Sequence, residues 1–370
     1  MWYNTRVTEM IGIEYPIMQG PFGGNFSSVD LVAAVSNAGG LGGYGAYTLS
    51  PQEIVELDKK LKTSTNKPYN LNLWVSDHDT VNGTVSDEQF EQVKKLFKPY
   101  FDEAGIPLPD KPAPFVPRFE NQVQVILDIQ PRVFSFVFGV PSKEILEQCR
   151  KVGIITAGGA TTIDEALALE AAGVDIIIAS GCEAGGHRPS FLDSAELSLT
   201  GTFVLVQLIK EKVKCPVVAA GGIANGRGVA AALTLGAEGV QIGTAFLATE
   251  ESGALPEHKK MLLSNPGKYT ALSRAFTGRL GRGIANKITS EMPATEKQVL
   301  PFPLQGNFMS TLRSAAVDQK KWDLVFFWSG QIAPVLTHKK VATLMQSLVE
   351  ETNSILHQES NNVMNLNIAN

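Results

Sequence analysis

The sequence predicts an α/β fold of the (β/α)₈, or TIM, barrel type, with a helical insertion after the third strand and a helical C-terminal extension. Three observations favour it: a series of short aliphatic segments, amphipathic helical patterns between several of them, and glycines at many junctions. Strands that are apolar on both faces and alternate with helices indicate a parallel sheet covered by helices. Because eight such units fit within about 240 residues, a closed barrel is favoured over an open sheet.

The predicted strands are, in chain order, residues 15–20, 40–45, 69–75, 132–139, 153–158, 174–180, 216–222 and 239–244. Two of the helices between them have recognisable boundaries. One begins at Ser27 and ends before Gly39, and another begins at Thr162 with acidic residues in its first turn. We expect these βα units to form one barrel over residues 1–250.

Two regions fall outside the repeat. Residues 77–131 are too long for a simple loop and contain helical patterns at 87–104 and 119–129, joined by a proline-rich link. We therefore predict a partly helical insertion after the third strand. Residues 251–370 contain helical and irregular polar segments, among them a strongly amphipathic pattern near the C-terminus. We expect this mostly helical extension to pack over the C-terminal mouth of the barrel, where barrel enzymes place their active sites.

Composition argues against several protein classes. The 370 residues carry a formal net charge of −5, and 44% are hydrophobic, which is typical of a globular protein without a nucleic-acid partner. No run of about 18 apolar residues and no secretory signal pattern is present, so we expect no membrane segment and a cytoplasmic location. The three cysteines lack C-x-x-C spacing, which indicates free thiols.

The turns after the seventh and eighth predicted strands are candidates for phosphate binding. Gly221-Gly222 and Gly243-Thr244 lie at these strand ends, and glycine allows the backbone to approach an anion closely. In barrels of this kind the same two loops commonly hold a phosphate. The alternative is that the glycines only make tight turns. Because neither a Rossmann G-x-G-x-x-G nor a P-loop motif is present, a phosphate-bearing cofactor at the barrel mouth is the favoured interpretation.

The segment after the sixth predicted strand, ASGCEAGGHRPSFLD, is the main catalytic candidate. His187 follows two glycines at the C-terminal end of a strand, where barrel enzymes place catalytic groups. Arg188 either attracts an anionic substrate or forms a salt bridge with Glu183 or Asp193. Cys182 has no evident activating partner and is interpreted as packing. Glu183 is interpreted as shaping the loop.

The other histidines and one aromatic cluster have mainly structural interpretations. We expect the remaining histidines to be solvated in the insertion or the extension; they are His78, His258, His338 and His357. None of them has the spacing of a metal site. A group of aromatic residues near the C-terminus either covers the pocket or belongs to the core, as is usual for such spacing. Its members are Trp322, Phe326, Phe327 and Trp328.

Several motifs in a fixed order resemble one enzyme family. They are YPIMQGPFGG, NAGGLGGYG, NLNLW, EAGGHRPSF, AAGGIANGRGVAAALTLGAEGVQIGTAFLAT and FWSGQ. Together they closely resemble the nitronate monooxygenases, formerly called 2-nitropropane dioxygenases, over residues 5–335. The GGHR form and the insertion resemble the class I branch. The resemblance implies a TIM barrel that binds FMN and oxidises alkyl nitronates with O₂ to a carbonyl compound and nitrite, through a flavin semiquinone.

The resemblance also implies individual roles. His187 matches the histidine that acts as catalytic base or orients the substrate. The implied cofactor-binding positions, from the floor beneath the flavin ring to the phosphate-side segment, are Met18, Gln19, Gly20, Asn72, Ser180, Gly185, Gly186, Gly221, Gly222, Gln241, Gly243, Thr244 and Gln331. A small-molecule nitronate and O₂ are the implied reaction partners, and the protein is expected to be a monomer or a homodimer.

Two positions depart from the family pattern. Ser180 stands where many relatives have glutamine, and Pro189 follows GGHR where glycine is common. Because proline fixes φ and lacks an N–H, we expect a stiffer loop and an altered substrate pocket. Two alternatives remain open: an FMN-dependent enoyl-acyl-carrier-protein or quinone reductase that uses NAD(P)H, and a flavin-binding protein without turnover.

Overall fold

The computed structural model describes residues 1–76, 85–112, 119–292 and 298–368, with side chains up to residue 357. The strands are β1 Ile17–Gln19, β2 Gly42–Gly45, β3 Tyr69–Trp74, β4 Val133–Val137, β5 Ile155–Ala160, β6 Ile176–Ser180, β7 Gly186–His187, β8 Val217–Ala220, β9 Gly239–Ile242, β10 Thr270–Ser273 and β11 Gly281–Ile284. The α-helices are α1 Arg6–Ile11, α2 Val29–Asn37, α3 Pro51–Ser64, α4 Asp87–Ala104, α5 Phe119–Ile129, α6 Lys143–Lys151, α7 Ile163–Ala172, α8 Thr202–Lys210, α9 Gly226–Thr234, α10 Thr244–Leu247, α11 Pro256–Leu262, α12 Lys287–Glu291, α13 Leu304–Asp318 and α14 Val341–Ile368.

Eight parallel strands form a nearly closed barrel in the order β1-β9-β8-β6-β5-β4-β3-β2. A parallel bridge between Met18 and Leu41 joins β1 to the chain just before β2. The eight predicted strands are confirmed, because each overlaps one strand of this sheet. Most strand residues are buried on both faces, which explains why the segments are aliphatic rather than alternating.

The N-terminal end of the barrel is plugged by apolar side chains. Val7 and Ile11 of α1 belong to the same buried cluster as Met18, Ile178 and Val218 from the strands. Burial of these side chains away from water closes this end of the barrel. A ligand site is therefore left to the opposite, C-terminal end.

The helix boundaries follow the capping signals in the sequence. The Ser28 side chain accepts a hydrogen bond from the Leu31 N–H at the start of α2, and Thr162 does the same at the start of α7. Gly173 ends α7 with φ of 90°, a left-handed conformation that favours glycine. Local sequence therefore fixes where these helices begin and where α7 ends.

The terminal helix occupies the barrel wall rather than the mouth. α14 packs against α9 and α2, and Leu344, Met345 and Leu348 are buried in the core that surrounds the strands. For this helix the prediction of packing over the mouth was wrong. Because only the four-residue α10 directly follows β9, the gap between α9 and α2 is filled by the apolar face of α14.

The insertion separates into two parts. α5 packs on β3 and beside α3, so it serves as a helix of the barrel wall. α4 packs against α13 of the C-terminal extension, and their interface buries Phe97, Phe101 and Phe308. The inserted segment therefore ends before α5, earlier than predicted. His78 and the end of the proline-rich link lie outside the described residues.

The C-terminal extension also contributes strands, which the prediction of a mostly helical extension did not include. β10 and β11 pair in antiparallel fashion, and β11 pairs in turn with β7. Gly281 lies opposite His187, and Arg282 lies opposite Gly186. Main-chain hydrogen bonds of this small sheet therefore hold the loop that follows β6.

Within the described ranges, no helix is long and apolar enough to cross a membrane. The same residues contain no group of three or more His, Cys, Asp or Glu side chains that could hold a metal ion. The thiols of Cys149, Cys182 and Cys215 are free, as predicted.

Candidate functional site

A cavity of about 370 Å³ opens at the C-terminal ends of the barrel strands. Its wall includes Asn72 from β3, Ser180 from the end of β6 and Gln241 from β9. Parallel strands of a closed barrel all end on the same side, so residues far apart in sequence meet there. This is the position that the sequence predicts for a site.

Most of the predicted cofactor-binding residues line this cavity. They are Gly20, Asn72, Ser180, Gly185, Gly186, Gly221, Gly222, Gln241, Gly243 and Thr244. Pro189, the departure from the family pattern, is also part of the wall. The individual roles remain predictions, but the fold brings these residues to one place.

Three predicted cofactor residues do not line the cavity. Met18 is buried in the barrel interior, and the Gln19 side chain is buried with its Oε1 accepting from the Gly43 N–H at 2.8 Å. Gln331 is exposed, and its N–H donates to the Glu183 carbonyl at 3.0 Å. The side chains of Met18 and Gln19 therefore lie in the core, and that of Gln331 lies at the surface. None of the three faces the cavity.

Glycine is required at several points of the wall. Gly221 and Gly222 have φ of 112° and 68°, which side chains rarely adopt. At Gly185 a Cβ would lie 2.5 Å from the Gly330 N atom, so the close contact between these two segments needs a residue without a side chain. The glycines thus leave bare backbone facing the cavity.

The two predicted phosphate-binding loops differ. The N-terminus of α9 is already occupied, because the Gly226 N–H donates to the Glu351 carboxylate at 2.9 Å, and Asn225 caps the helix. Gly243 and Thr244, at the start of α10, line the cavity. Of these two helix starts, the one at Gly243-Thr244 lines the cavity, and the first loop reaches the cavity through Gly221-Gly222 instead.

Two polar side chains on this side have a hydrogen-bonding group without a partner among the described residues. The Thr244 hydroxyl accepts from the Gly330 N–H at 2.8 Å, and its own proton has no acceptor among the described residues. The Gln241 Oε1 atom is buried and has no hydrogen-bond partner among the described residues. Buried acceptors are almost always paired in folded proteins. A ligand that carries an N–H donor would supply the missing partner.

His187 is held from the C-terminal extension. Its main chain lies in β7, opposite Gly281 of β11. Its Nε2 atom lies 2.8 Å from the Thr277 Oγ1 atom, and that hydroxyl in turn lies 3.2 Å from the Arg279 carbonyl oxygen. The imidazole is therefore oriented by a residue that is distant in sequence.

Aromatic rings surround His187. Trp328 and Trp74 lie 4.8 and 5.3 Å away between ring centroids, and Phe138 and Phe302 lie slightly farther. Burial among these rings, and to a smaller extent the positive charge of Arg279, lowers the pKa of His187 to about 3. The imidazole is therefore neutral at physiological pH, although it borders the cavity.

Arg188 has neither of its two predicted roles. It is only 2% exposed, and its guanidinium donates to the carbonyl oxygens of Gly181, Ser180 and Ser198. Burial lowers its pKa to about 10. Glu183 shapes the loop as predicted, since its carboxylate accepts from the Thr202 N–H and hydroxyl. Both charged residues therefore fix the loop in the fold.

The expectation that all the remaining histidines are solvated was wrong for His258. Its ring is 1% exposed, and its Nε2 lies 2.8 Å from the Trp328 carbonyl oxygen. Burial lowers the pKa of His258 to about 4. Of the four C-terminal aromatics, Trp328 lines the cavity. Phe327 is buried in the cluster that also contains Phe97 and Phe308, Trp322 packs against that cluster, and Phe326 stacks on Phe276.

Sequence reasoning missed several residues of the histidine side. Thr277, Phe302, Tyr47 and Phe138 all line the walls around His187. One local signal was available for Thr277, because it begins the glycine-rich segment TGRLGRG, which indicates a turn. Phe302, Tyr47 and Phe138 are aromatic, and in sequence they resemble ordinary core residues.

Comparison with known proteins identifies the family. The family model described as nitronate monooxygenase matches residues 4–351. The chain belongs to this family. A probable nitronate monooxygenase of Staphylococcus haemolyticus is 38% identical over 358 residues, which cover 96% of this chain and 99% of that one. A probable nitronate monooxygenase of Staphylococcus aureus strain Newman is 36% identical over 357 residues, with the same coverage.

Solved structures agree with this assignment. The structure titled as nitroalkane oxidase from Streptomyces ansochromogenes has a TM-score of 0.85 and 33% identity, and covers 94% of this chain and 98% of that one. FabK from Thermotoga maritima has a TM-score of 0.73 and 27% identity, with 97% and 99% covered. These comparisons confirm the TIM barrel and the resemblance found in the sequence.

Family membership makes the chain an enzyme, a flavin-dependent oxidoreductase. The cavity fits such a group. The isoalloxazine ring has one ring N–H that could pair with the buried Gln241 Oε1 atom. The bare backbone at Gly221-Gly222 and the free Thr244 proton suit the cofactor's polar tail. The alternative of a flavin-binding protein without turnover is therefore not supported.

Proposed function

We propose that the protein is an FMN-dependent nitronate monooxygenase, which converts alkyl nitronates and O₂ to a carbonyl compound and nitrite. The observation that carries this proposal is the position of His187, half-buried and neutral, at the edge of a cavity whose other walls are glycine turns and polar strand ends. FMN, when bound there, supplies the electron transfer between the nitronate and oxygen. The chain supplies binding, orientation and exclusion of water.

A neutral imidazole can interact with either form of the substrate, the neutral nitroalkane or the nitronate anion. When the Thr277 hydroxyl donates to the Arg279 carbonyl, the His187 Nε2–H donates to Thr277 and the Nδ1 atom is an acceptor. That tautomer can remove the α-proton of a neutral nitroalkane. When the hydroxyl rotates and donates to Nε2, Nδ1 carries the proton and can donate to an oxygen of a nitronate anion.

The aromatic walls strengthen these interactions. Trp74, Phe138 and Trp328 replace water around His187 with apolar surface. A hydrogen bond to an anionic oxygen is stronger in such surroundings than in bulk water. We therefore expect His187 to contribute mainly by orienting a nitronate and by proton transfer with a nitroalkane.

The test combines a spectrum with oxygen consumption. The purified protein should bind FMN, show a flavin spectrum and consume O₂ with a panel of alkyl nitronates. His187→Asn should keep the flavin and lose about 10- to 100-fold in kcat/KM for nitronates, the range for a hydrogen bond to a charged group. For neutral nitroalkanes the loss should be larger, about 10²–10⁴-fold, because proton transfer is also removed.

His357→Asn is the matched control, because His357 is exposed on α14. It should leave the flavin content and both activities unchanged. A colourless protein that does not take up FMN, or a His187→Asn variant as active as the parent, would contradict the proposal.

One alternative, which the sequence leaves open, is a flavin-dependent reductase that uses NAD(P)H. Under anaerobic conditions such an enzyme would bleach its flavin rapidly with NADH or NADPH. A nitronate monooxygenase would bleach it with a nitronate instead. Rapid bleaching by NAD(P)H combined with no nitronate-dependent oxygen uptake would favour the reductase.

A further inference from the structure

One side of the barrel wall exposes a group of apolar side chains. Among the described residues, eleven large hydrophobic side chains are exposed. Seven of them lie on α7, on α8 or on the loop that leads into α8, and we call them the α7–α8 face: Leu167, Leu192, Leu197, Leu199, Phe203, Val204 and Leu208. Their exposed fractions run from 37% for Leu199 to 77% for Leu197. Single exposed hydrophobic residues are ordinary, whereas a cluster of this size marks an interaction surface.

The α7–α8 face is continuous. The two helices pack against each other in the barrel wall. The three exposed apolar side chains of α8 are one and four residues apart, which places them on one side of the helix. Leu192 is held beside α7, because its N–H donates to the Glu165 carboxylate at 3.3 Å, and Leu199 lies just before the start of α8. The loop therefore extends the apolar surface from one helix to the other.

Another helix of the barrel wall provides a comparison. Every exposed residue of α6 is polar or charged; they are Lys143, Glu144, Glu147, Gln148, Arg150 and Lys151. The exposed residues of α8 are Phe203, Val204, Gln207 and Leu208. A surface helix normally turns its polar side to water. The outer side of α8 is therefore unlike that of α6 and is suited to contact with another protein surface.

We propose that the α7–α8 face is the interface of a homodimer, in which it packs against the same face of a second copy across a two-fold axis. A standard interface buries about 800 Å² per partner and a homodimer interface is about 65% apolar, so each partner needs roughly 500 Å² of apolar surface. At about 150 Å² for a large side chain that is fully exposed, the seven exposed fractions correspond to roughly 500 Å². The face is therefore large enough for a stable dimer.

The charges on these elements favour a second copy over a membrane surface. A two-fold axis brings the same residues of two copies together, so a charged centre would repel itself. The chain from Phe203 to Leu208 carries no charge. The exposed charged residues on the same elements or directly after them are mainly acidic; they are Asp164, Asp193, Glu196, Glu211 and Lys212. An anionic membrane attracts lysine and arginine instead.

The α7–α8 face is separate from the catalytic machinery. None of its seven residues lines the first cavity, at the strand ends, or a second cavity of about 250 Å³ that adjoins the first at His187. Substitutions on the face should therefore leave the cofactor site intact. FMN content and the circular dichroism spectrum then report whether each variant is folded.

Sedimentation equilibrium of the FMN-loaded protein measures its mass in solution. We expect twice the chain mass of 39.8 kDa at a concentration of about 10 µM, because interfaces of this size have dissociation constants from micromolar to picomolar. Phe203→Glu and Leu208→Lys place charges of opposite sign on the face, and each charge occurs twice in a two-fold interface. Each variant should raise the dissociation constant by about 100-fold or more, because the buried charges lose their hydration without gaining a partner.

Gln148→Glu is the matched control for Phe203→Glu. Gln148 is exposed on α6, and its replacement also adds one negative charge. It should leave the dissociation constant unchanged. Hydrogen exchange locates the interface independently: exchange should slow with increasing protein concentration in residues 191–210 and should not change in α6.

A wild type that stays monomeric at every concentration, or a dimer that both α8 variants leave intact, would overturn the proposal. A monomer that floats with phosphatidylglycerol vesicles and no longer floats as Phe203→Glu would also overturn it, and would assign the face to a lipid surface. None of these outcomes depends on nitronate oxidation, so each leaves the proposed function unaffected.

Discussion

The two sides of the first cavity are built in different ways. On the cofactor side the wall consists of backbone and strand ends. Gln241 lies in β9, and Gly221-Gly222 and Gly243-Thr244 directly follow β8 and β9. On the histidine side the wall consists of side chains from separate segments, with Thr277 and Trp328 reaching His187 from the C-terminal extension. The cofactor side is therefore part of the barrel itself, and the histidine side is formed by segments that pack onto the barrel.

This difference indicates what each side can tolerate. A bare backbone surface depends on the absence of a Cβ, so any side chain disturbs it. A wall of side chains depends on which residues meet, so a conservative substitution can change orientation without changing the fold. Changes on the cofactor side should therefore affect FMN binding, and changes on the histidine side should affect turnover.

Among the tests of this difference, the largest expected effect is that of Gly185→Ala, at the contact between the two sides. Its Cβ would lie 2.5 Å from both Gly330 N and Ser329 C, which are backbone atoms that cannot move independently. We expect a loss of about 1–3 kcal/mol in the free energy of unfolding and of most of the bound FMN. Thermal unfolding and flavin absorbance measure both. Normal FMN content in this variant would show that the two segments are not rigidly joined.

Thr277→Val tests the histidine side alone. Valine keeps the shape and removes the hydroxyl that lies 2.8 Å from the His187 Nε2 atom. We expect about a tenfold loss of kcat/KM with nitronates and nitroalkanes, the size of one hydrogen bond, with unchanged FMN affinity. Thr277→Ser should restore activity because it restores the hydroxyl. Loss of FMN from Thr277→Val would contradict the division between the two sides.

Gln241→Leu tests the cofactor side and has two expected effects of opposite sign. It removes a buried acceptor that has no partner within the described structure, so the FMN-free protein should gain about 1 kcal/mol of stability. FMN affinity should fall about fivefold because a cofactor contact is lost. Chemical denaturation and FMN titration measure the two effects.

Gln19→Leu is the matched control for Gln241→Leu. Its Oε1 atom accepts from Gly43 and its Nε2 atom donates to Gly20, so its replacement should destabilise the FMN-free protein. If both variants are destabilised to the same degree, Gln241 has a partner within the protein and its proposed cofactor contact fails.

The smallest expected effect is that of pH on turnover. Because the pKa of His187 is lowered to about 3, kcat/KM with nitronates should show no histidine ionisation between pH 5 and 8. Stability should change instead. His187 and His258 bind protons more readily in the unfolded chain, whose histidines titrate near pH 6.5, so stability is full above that pH and falls as the pH decreases towards about 4.

Urea denaturation between pH 4 and 8 measures this loss. His258→Gln should reduce the dependence of the free energy of unfolding on pH without affecting turnover at neutral pH, because its ring packs against Phe26 and Phe327 and does not line the cavity. A bell-shaped nitronate profile with a pKa near 6.5 would contradict the lowered pKa and the neutral state of His187.

Most of the barrel could be predicted from sequence, because its signals are local. The aliphatic segments, the caps at Ser28 and Thr162 and the glycine at position 173 each act within a few residues. The glycine turns after β8 and β9 were found in the same way, since φ and the lack of a Cβ are properties of single residues. His187 was found by its place after a strand.

The tertiary structure decided which side chains meet at the site, because that depends on how distant parts of the chain pack together. Thr277, the hydrogen-bond partner of His187, comes from the C-terminal extension. The sequence could not distinguish Phe138 or Phe302, which line the cavities, from core residues. The helix α14, at the end of the chain, completes the barrel wall. Arg188 and His258 were misread because burial decides their state, and burial is the sum of many distant contacts. The sequence by itself determined the barrel and the turns at its mouth, since local conformational preference specifies them; long-range packing determined which side chains meet there and in which ionisation state.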